Sequence, residues 1–106
     1  MNIIDTSKGV KRLNISHKHQ DNHKQSQDPH IWTSPANVKI IASNIYNALV
    51  KYDPTNKNYY KHNLDNFLTH IDNTNYKIKN ILKDTKLTKF MVFHPSWGYF
   101  ANEYNL

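Results

Sequence analysis

The sequence has no cysteine, only two glycines and no long apolar run. Without cysteine, disulfide bonds, thiolate metal sites and cysteine nucleophiles are all excluded, so any bound metal must rely on imidazole and oxygen ligands. The scarcity of glycine argues against a fold of many tight hairpins. No window approaches the roughly 18 consecutive apolar residues of a membrane span. The first twelve residues lack an apolar signal-peptide core, so the chain as written is expected to remain where it is made.

The charge balance is basic, with a net charge of +6. A basic surface can bind nucleic acid, but 13 of the 14 basic residues are lysine, and only Arg12 can make bidentate contacts with phosphate or guanine. The lysines are also scattered along the chain. We therefore expect no nucleic-acid partner. One alternative stays open at this stage, a small basic helical adaptor that binds a partner or nucleic acid.

Two apolar stripes with helical spacing occupy the middle of the chain. Ser34 is a predicted N-cap, and Pro35 stands at the first helical position, where its missing N–H costs nothing. The YDPTN segment ends this first helix, and Asp53 is the predicted cap of the next one. The second stripe predicts a helix over 54–83, which would be about 40 Å long. A helix of that length in so short a chain is typical of one that bridges two parts of a protein.

The strand signals are fewer. Residues 2–4 are a weak strand candidate, whereas KFMVF at 89–93 is an unbroken apolar run that predicts a strand covered on both faces. His94 follows this run directly, at the position where open α/β sheets bind their ligands. Ser96 is a possible cap for a short helix after it. One convincing strand cannot form a sheet, so the chain is predicted to be part of a larger α/β protein.

The seven histidines fall into three groups. His62 and His70 lie eight residues apart on the long helix, or about 12 Å, which is too far for a shared metal. We expect them to be solvated. A second group belongs to the polar loop 14–27 and consists of His17, His19 and His23. Clustered imidazoles on a flexible loop can capture zinc or copper loosely, but a plain polar linker is an equally good interpretation.

His30 and His94 form the third group, and they differ from the others in position. Each adjoins a proline and stands at the boundary of a predicted element. Each also has a tryptophan nearby, Trp32 or Trp97, which could shield a metal from water. Asp28 is close enough in sequence to orient an imidazole from behind. Neutral imidazole suits Zn²⁺, but a closed zinc site needs about four donors, so two histidines are too few.

Three phrases carry a resemblance to a known family. DPHIWTSPAN, YDPTNKNYYKHNLDNFL and FMVFHPSWGYFANEYNL, in that order, resemble the zinc-binding solute receptors of bacterial ABC metal importers. That resemblance implies an α/β fold of two lobes joined by one long helix, with the metal in the cleft between them. Residues 1–52 would end the first lobe, with the loop 14–27 inside it. Residues 53–87 would form the interlobe helix, and 88–106 would supply the first strand and helix of the second lobe.

The same resemblance assigns roles to individual residues. It implies that His30 is a metal ligand from the first lobe and His94 a ligand from the second. Manganese-preferring relatives typically carry glutamate at the second position, so Zn²⁺ is expected in preference to Mn²⁺. The histidines of the polar loop resemble an auxiliary loop that collects zinc. The remaining ligands are expected outside this chain, which resembles an internal fragment holding about half of the metal site.

The resemblance also implies a transport function rather than an enzymatic one. The intact protein is expected to be a periplasmic or otherwise extracytoplasmic receptor that delivers zinc to the membrane permease of an ABC transporter. A metal-dependent hydrolase is the rival interpretation, and it requires a general base beside the ligands. Glu103 is the only glutamate in the sequence, nine residues past His94 and on the far side of a predicted helix. We therefore do not expect an enzyme.

Overall fold

The computed structural model describes residues 3–15, 26–86 and 88–106. These residues form a helical hairpin, a third short helix and one small antiparallel ladder. The helices are α1 (Pro35–Tyr52), α2 (Lys57–Leu82) and α3 (Gly98–Tyr104), and the strands are β1 (Asn14–Ile15) and β2 (Ser26–Gln27). Short 3-10 turns at Ile31–Thr33 and Pro54–Asn56 precede the two long helices. No helix among the described residues combines the length and the apolar character needed to cross a membrane.

The start of α1 confirms the sequence prediction. The Ser34 hydroxyl accepts a hydrogen bond from the backbone N–H of Asn37 at 3.2 Å, which satisfies one of the free donors of the first turn. Pro35 occupies the first turn, as expected. At the other end, the backbone N–H of Asp53 donates to the carbonyl of Leu49 at 2.8 Å and closes the helix.

The long second helix is also confirmed, but its start differs from the prediction. Residues 54–56 form a 3-10 turn, and α2 then runs for 26 residues, or about 39 Å. Asp53 stands at the cap position of this turn, with Pro54 in its first turn as predicted, but its side chain makes no cap hydrogen bond. Its carboxylate instead accepts hydrogen bonds from the Asn56 side chain and the Tyr60 hydroxyl, both at 2.7 Å. The Asp53 carboxylate therefore links the connection between the two helices to the first turn of α2.

Helices α1 and α2 pack side by side in opposite directions. The end of α1 meets the start of α2, where Leu49 and Tyr60 line the same cavity of about 230 Å³. The start of α1 meets the second half of α2 through an ion pair between Lys39 and Asp72. No residue of α2 is fully buried, so one side of the hairpin remains open to solvent in the described part of the chain.

The core lies where the first segment, the turn after His30 and α3 meet. Its buried apolar side chains are Val10, Ile31 and Tyr99, with partly buried neighbours Leu13, Ile40 and Ile41. A core of this size provides only modest stability, because small chains bury a small fraction of their apolar surface. Its position is nevertheless informative, since it joins residues from both ends of the chain.

The strand predicted at 89–93 is not present. No described segment pairs with these residues, and the side chains of Met91 and Phe93 are fully exposed, at 98% and 109% of the reference area. An apolar run can only form a stable strand where a neighbour supplies the hydrogen bonds. The weak strand at 2–4 is also absent at Ile3 and Ile4, and Asn2 lies outside the described residues.

The short helix near the end of the chain begins later than predicted. Ser96 does not cap it, because α3 starts at Gly98 with Trp97 at the cap position and no side-chain cap. The backbone N–H of Ser96 donates instead to the carbonyl of His94 at 2.8 Å. The chain therefore makes a tight turn directly after His94, before it enters α3.

The pKa of Asp53 provides a test of the hairpin connection. Hydrogen bonds from the side chains of Asn56 and Tyr60 hold the pKa of this carboxyl below its ordinary range. A lowered pKa stabilises the folded state above the unfolded value of about 3.9, and this contribution disappears as the pH falls through the folded value. We expect Asp53→Asn to lower the free energy of unfolding at neutral pH. The difference from wild type should begin to shrink as the pH falls below about 4 and should vanish once the pH is below the folded pKa.

The measurement is urea denaturation over a series of pH values. Asp84→Asn is the matched control, because the Asp84 carboxylate makes no such hydrogen bond within the described residues. It should change the stability little at any pH. An equal pH dependence of the two variants would contradict the role given to Asp53.

Candidate metal centre

His30 and His94 come together in the folded chain, although 64 residues separate them in sequence. Their Nε2 atoms lie 3.3 Å apart, and the ring planes are nearly perpendicular at 85°. Two nitrogens bound to one tetrahedral zinc at about 2.0–2.1 Å each would lie about 3.3–3.4 Å apart. The separation of the two Nε2 atoms therefore matches one edge of a zinc coordination tetrahedron.

Asp28 fixes the orientation of the His30 ring. Its Oδ1 lies 2.6 Å from Nδ1 of His30 and also accepts the backbone N–H of His30 at 2.9 Å. The carboxylate therefore assigns the proton to Nδ1 and leaves the lone pair of Nε2 pointing away from Asp28. Asp28 is buried, at 4% exposure, so solvent competes little for this contact. The predicted position of Asp28 behind the imidazole is the one that the structure has.

The loop that carries Asp28 and His30 is held from two sides. The backbone N–H of Asp28 donates to the carbonyl of Leu13 at 2.8 Å. The Tyr99 hydroxyl donates to the carbonyl of Asp28 at 2.8 Å and accepts the N–H of Leu13 at 3.0 Å. Gly98 allows this close approach, since a Cβ there would lie 2.9 Å from Oδ2 of Asp28. The segment of Leu13 and the start of α3 thus both contact the His30 loop.

A second link joins α3 to the start of α1. The Ser34 hydroxyl donates to the Glu103 carboxylate, and the backbone N–H of Ala36 donates to the same carboxylate oxygen at 3.4 Å. A carboxylate at a helix N-terminus is favoured by the helix dipole. Glu103 is therefore engaged with α1 and not with the imidazoles, which removes it as a general base beside the candidate metal.

The two tryptophans differ in their surroundings. The Trp32 ring lies edge-on to the His30 ring, with centroids 5.6 Å apart, although 60% of Trp32 is exposed. Trp97 packs against Phe100 at 5.5 Å instead of against an imidazole. Of the two predicted shielding residues, the structure places only Trp32 against a histidine ring.

The other histidines stand apart from this pair. His62 is exposed on α2, where its Nε2 lies 3.0 Å from the Asn66 side chain, and His70 is exposed on the same helix. The residues predicted to form an auxiliary metal loop, His17, His19 and His23, lie outside the described residues. Within the described ranges, no group of three or more metal-binding side chains comes together. The described chain therefore offers two donors to a metal.

Sequence reasoning missed Gly98 and Tyr99 as parts of this site. Both belong to the segment WGYF, which lies in one of the three phrases that carry the family resemblance. Their partners are main-chain atoms of Asp28 and Leu13, which have no side-chain signature. The sequence itself shows only a glycine followed by a tyrosine, which does not reveal these contacts.

The fold places this chain in the class of the two-lobe metal-binding receptors, to whose solved structures it is similar. The family model described as ZnuA, zinc-uptake complex component A, periplasmic, matches residues 1–106. The chain therefore belongs to the ZnuA family. The α/β two-lobe receptor fold predicted from the resemblance is confirmed by the solved structures to which the chain is similar.

Individual relatives are similar over almost the whole chain. The high-affinity zinc uptake system protein ZnuA of Bacillus subtilis is 31% identical over 111 residues, covering 98% of this chain and 35% of the relative. A zinc-bound ZnuA deletion mutant is 40% identical with a TM-score of 0.89, over 100% of this chain and 39% of that one. A manganese-bound periplasmic metal binding protein from Candidatus Liberibacter asiaticus is 25% identical with a TM-score of 0.83, over 97% and 37%. The chain thus spans about a third of its relatives' length.

Gly98 gives a test of the packing behind His30. We expect Gly98→Ala to displace the Asp28 carboxylate, because the new methyl group would lie 2.9 Å from Oδ2. Displacement weakens the buried contact between Asp28 and His30, so the free energy of unfolding should fall by about 1–3 kcal/mol. Urea denaturation measures this change.

Asn102→Ala is the matched control, since Asn102 is exposed on the same short helix. It should leave the stability nearly unchanged. If Gly98→Ala proved as stable as this control, the close approach of α3 to Asp28 would not be a constraint on the fold.

Proposed function

We propose that this chain supplies two histidine ligands, His30 and His94, to the metal site of an extracytoplasmic zinc receptor. The observation that carries the proposal is the 3.3 Å separation of their Nε2 atoms, which fits two donors of one tetrahedral zinc. Membership of the ZnuA family supports the same function. Two donors do not complete a zinc site, so the remaining ligands would come from other parts of the full-length protein.

The positions of the two ligands support a clamp between two lobes. His30 precedes α1 and His94 follows α2, so a cation bound to both would join the two ends of the helical hairpin. In this proposal residues 1–52 belong to the first lobe, 53–87 form the connecting helix, and 88–106 begin the second lobe. Metal binding would then hold the two lobes together.

The donor atoms favour zinc over manganese. Imidazole nitrogen suits zinc, whereas manganese prefers carboxylate, carbonyl and water oxygens. Both described donors are nitrogens, and the nearest carboxylate, Asp28, is directed at Nδ1 of His30. A manganese-bound protein is among the structural relatives, so the choice of metal depends on the complete ligand set. The histidines of the loop 14–27 would be the auxiliary zinc-collecting group.

The receptor would carry zinc without chemical conversion and deliver it to the membrane permease of an ABC importer. The family description as a periplasmic component of a zinc-uptake complex supports both the partner and the location. The engagement of Glu103 with Ser34 and Ala36 supports a binding role over hydrolysis, because no other glutamate exists in the sequence. No observation favours the basic adaptor.

The proposed ligands predict a specific loss of zinc binding. In the full-length protein, His94→Ala should weaken zinc by more than about 100-fold, since substitution of residues that merely orient a ligand already costs about 10–100-fold. Isothermal titration calorimetry with a competing chelator measures the affinity.

His62→Ala is the control, because His62 is an exposed histidine on α2 outside the proposed site. Its zinc affinity should equal that of the wild type. Equal affinities of the His94→Ala and His62→Ala variants would refute the assignment of His94 as a ligand.

A further inference from the structure

We infer that Tyr99 is a positioning residue of the proposed zinc site, which holds His94 beside His30 before any metal is bound. The inference rests on the proposed function, because it concerns the same two ligands. Tyr99 itself would bind no metal. It would act only through its hydrogen bonds to the main chain of Leu13 and Asp28.

The contacts of Tyr99 are buried and directed at the main chain. The side chain is 4% exposed, and its hydroxyl makes two hydrogen bonds at once, to the carbonyl of Asp28 and from the N–H of Leu13. Both partners are main-chain atoms, and they are themselves joined by the hydrogen bond from the N–H of Asp28 to the carbonyl of Leu13. The hydroxyl therefore binds a fixed target and not a mobile side chain.

Few residues separate the Tyr99 hydroxyl and its Asp28 partner from the two imidazoles along the chain. Asp28 lies two residues before His30 and also holds the His30 ring through Oδ1. Tyr99 lies five residues after His94, and the intervening segment is tightened by the hydrogen bond from the N–H of Ser96 to the carbonyl of His94. A shift of Tyr99 relative to Asp28 would therefore change the separation of the two Nε2 atoms directly.

The position of His94 depends on the segments on either side of it. Its side chain is exposed, and the residues that precede it at 89–93 form no strand among the described residues. Among the described residues, the contacts that restrain His94 are therefore those of α3. Glu103 also connects α3 to the first part of the chain, but its contacts are with the start of α1, beyond the His30 loop.

Preorganisation of this kind should strengthen metal binding. A ligand pair that is already at the required separation loses less conformational freedom when the cation binds, and the apparent affinity rises with the fraction of molecules in the competent state. Removing the hydroxyl would enlarge the range of separations in the metal-free protein. It would leave both imidazoles chemically intact.

The experiment is a double-mutant cycle in the full-length protein with zinc as the probe. Tyr99→Phe keeps the buried ring and removes only the hydroxyl, and we expect zinc to bind about 10-fold more weakly. In the His94→Ala background the same substitution should have no further effect, because the residue acts through His94. Tyr76→Phe is the matched control, since Tyr76 is 67% exposed on α2, and it should bind zinc like the wild type.

A second measurement needs no metal. In the metal-free wild-type protein, NMR should detect a nuclear Overhauser effect between the His30 and His94 rings, and this effect should weaken in Tyr99→Phe. The inference is overturned if the effect is absent in the wild type, or if Tyr99→Phe weakens zinc equally in both backgrounds. It is also overturned if Tyr99→Phe binds zinc like the wild type while His94→Ala does not, an outcome that leaves the proposed function intact. If His94→Ala binds zinc normally, both are overturned.

Discussion

The site depends on one buried polar junction, where the main chains of Asp28 and Leu13 meet the hydroxyl of Tyr99. Each buried main-chain donor and acceptor there has a partner, so the junction avoids the cost of an unsatisfied polar group. The apolar side chains around it are few, which means that polar contacts contribute much of the local specificity. This junction also positions the His30 ring, because the Asp28 side chain contacts Nδ1 of His30 while the Asp28 main chain is part of the junction.

The helical hairpin explains how residues 64 positions apart in sequence can come together. Helix α1 carries the chain about 27 Å away from His30, and α2 carries it back about 39 Å in the opposite direction. Helix α2 is therefore about 12 Å longer than α1, and the segment between α2 and α3 returns His94 to His30. The connection is therefore long enough to bring His94 back to the level of His30 without a break in either helix.

Features that depend on neighbouring residues were predictable from the sequence, whereas those that depend on distant residues were not. Ser34 and Pro35 define the start of α1 locally, and the apolar stripe of α2 is periodic, so both helices were expected. The strand at 89–93 failed because strand formation depends on a partner that the run itself does not specify. Asp53 occupies the cap position without a cap hydrogen bond, because its carboxylate bonds to the side chains of Asn56 and, seven residues on, Tyr60. The partners of Tyr99 are main-chain atoms and leave no trace in the sequence.

The pairing of His30 with His94 belongs to neither group, since only a family resemblance linked them. Their chemistry nevertheless explains why they can remain close without a metal. Two carboxylates at this separation would repel each other strongly, whereas two neutral imidazoles can share a hydrogen bond. The carboxylate of buried Asp28 contacts Nδ1 of His30, on the side of the ring away from His94. In the proposed site its negative charge would help to compensate a divalent cation. In the proposed zinc site, the two imidazoles would therefore face the cation while the carboxylate stays behind one of them.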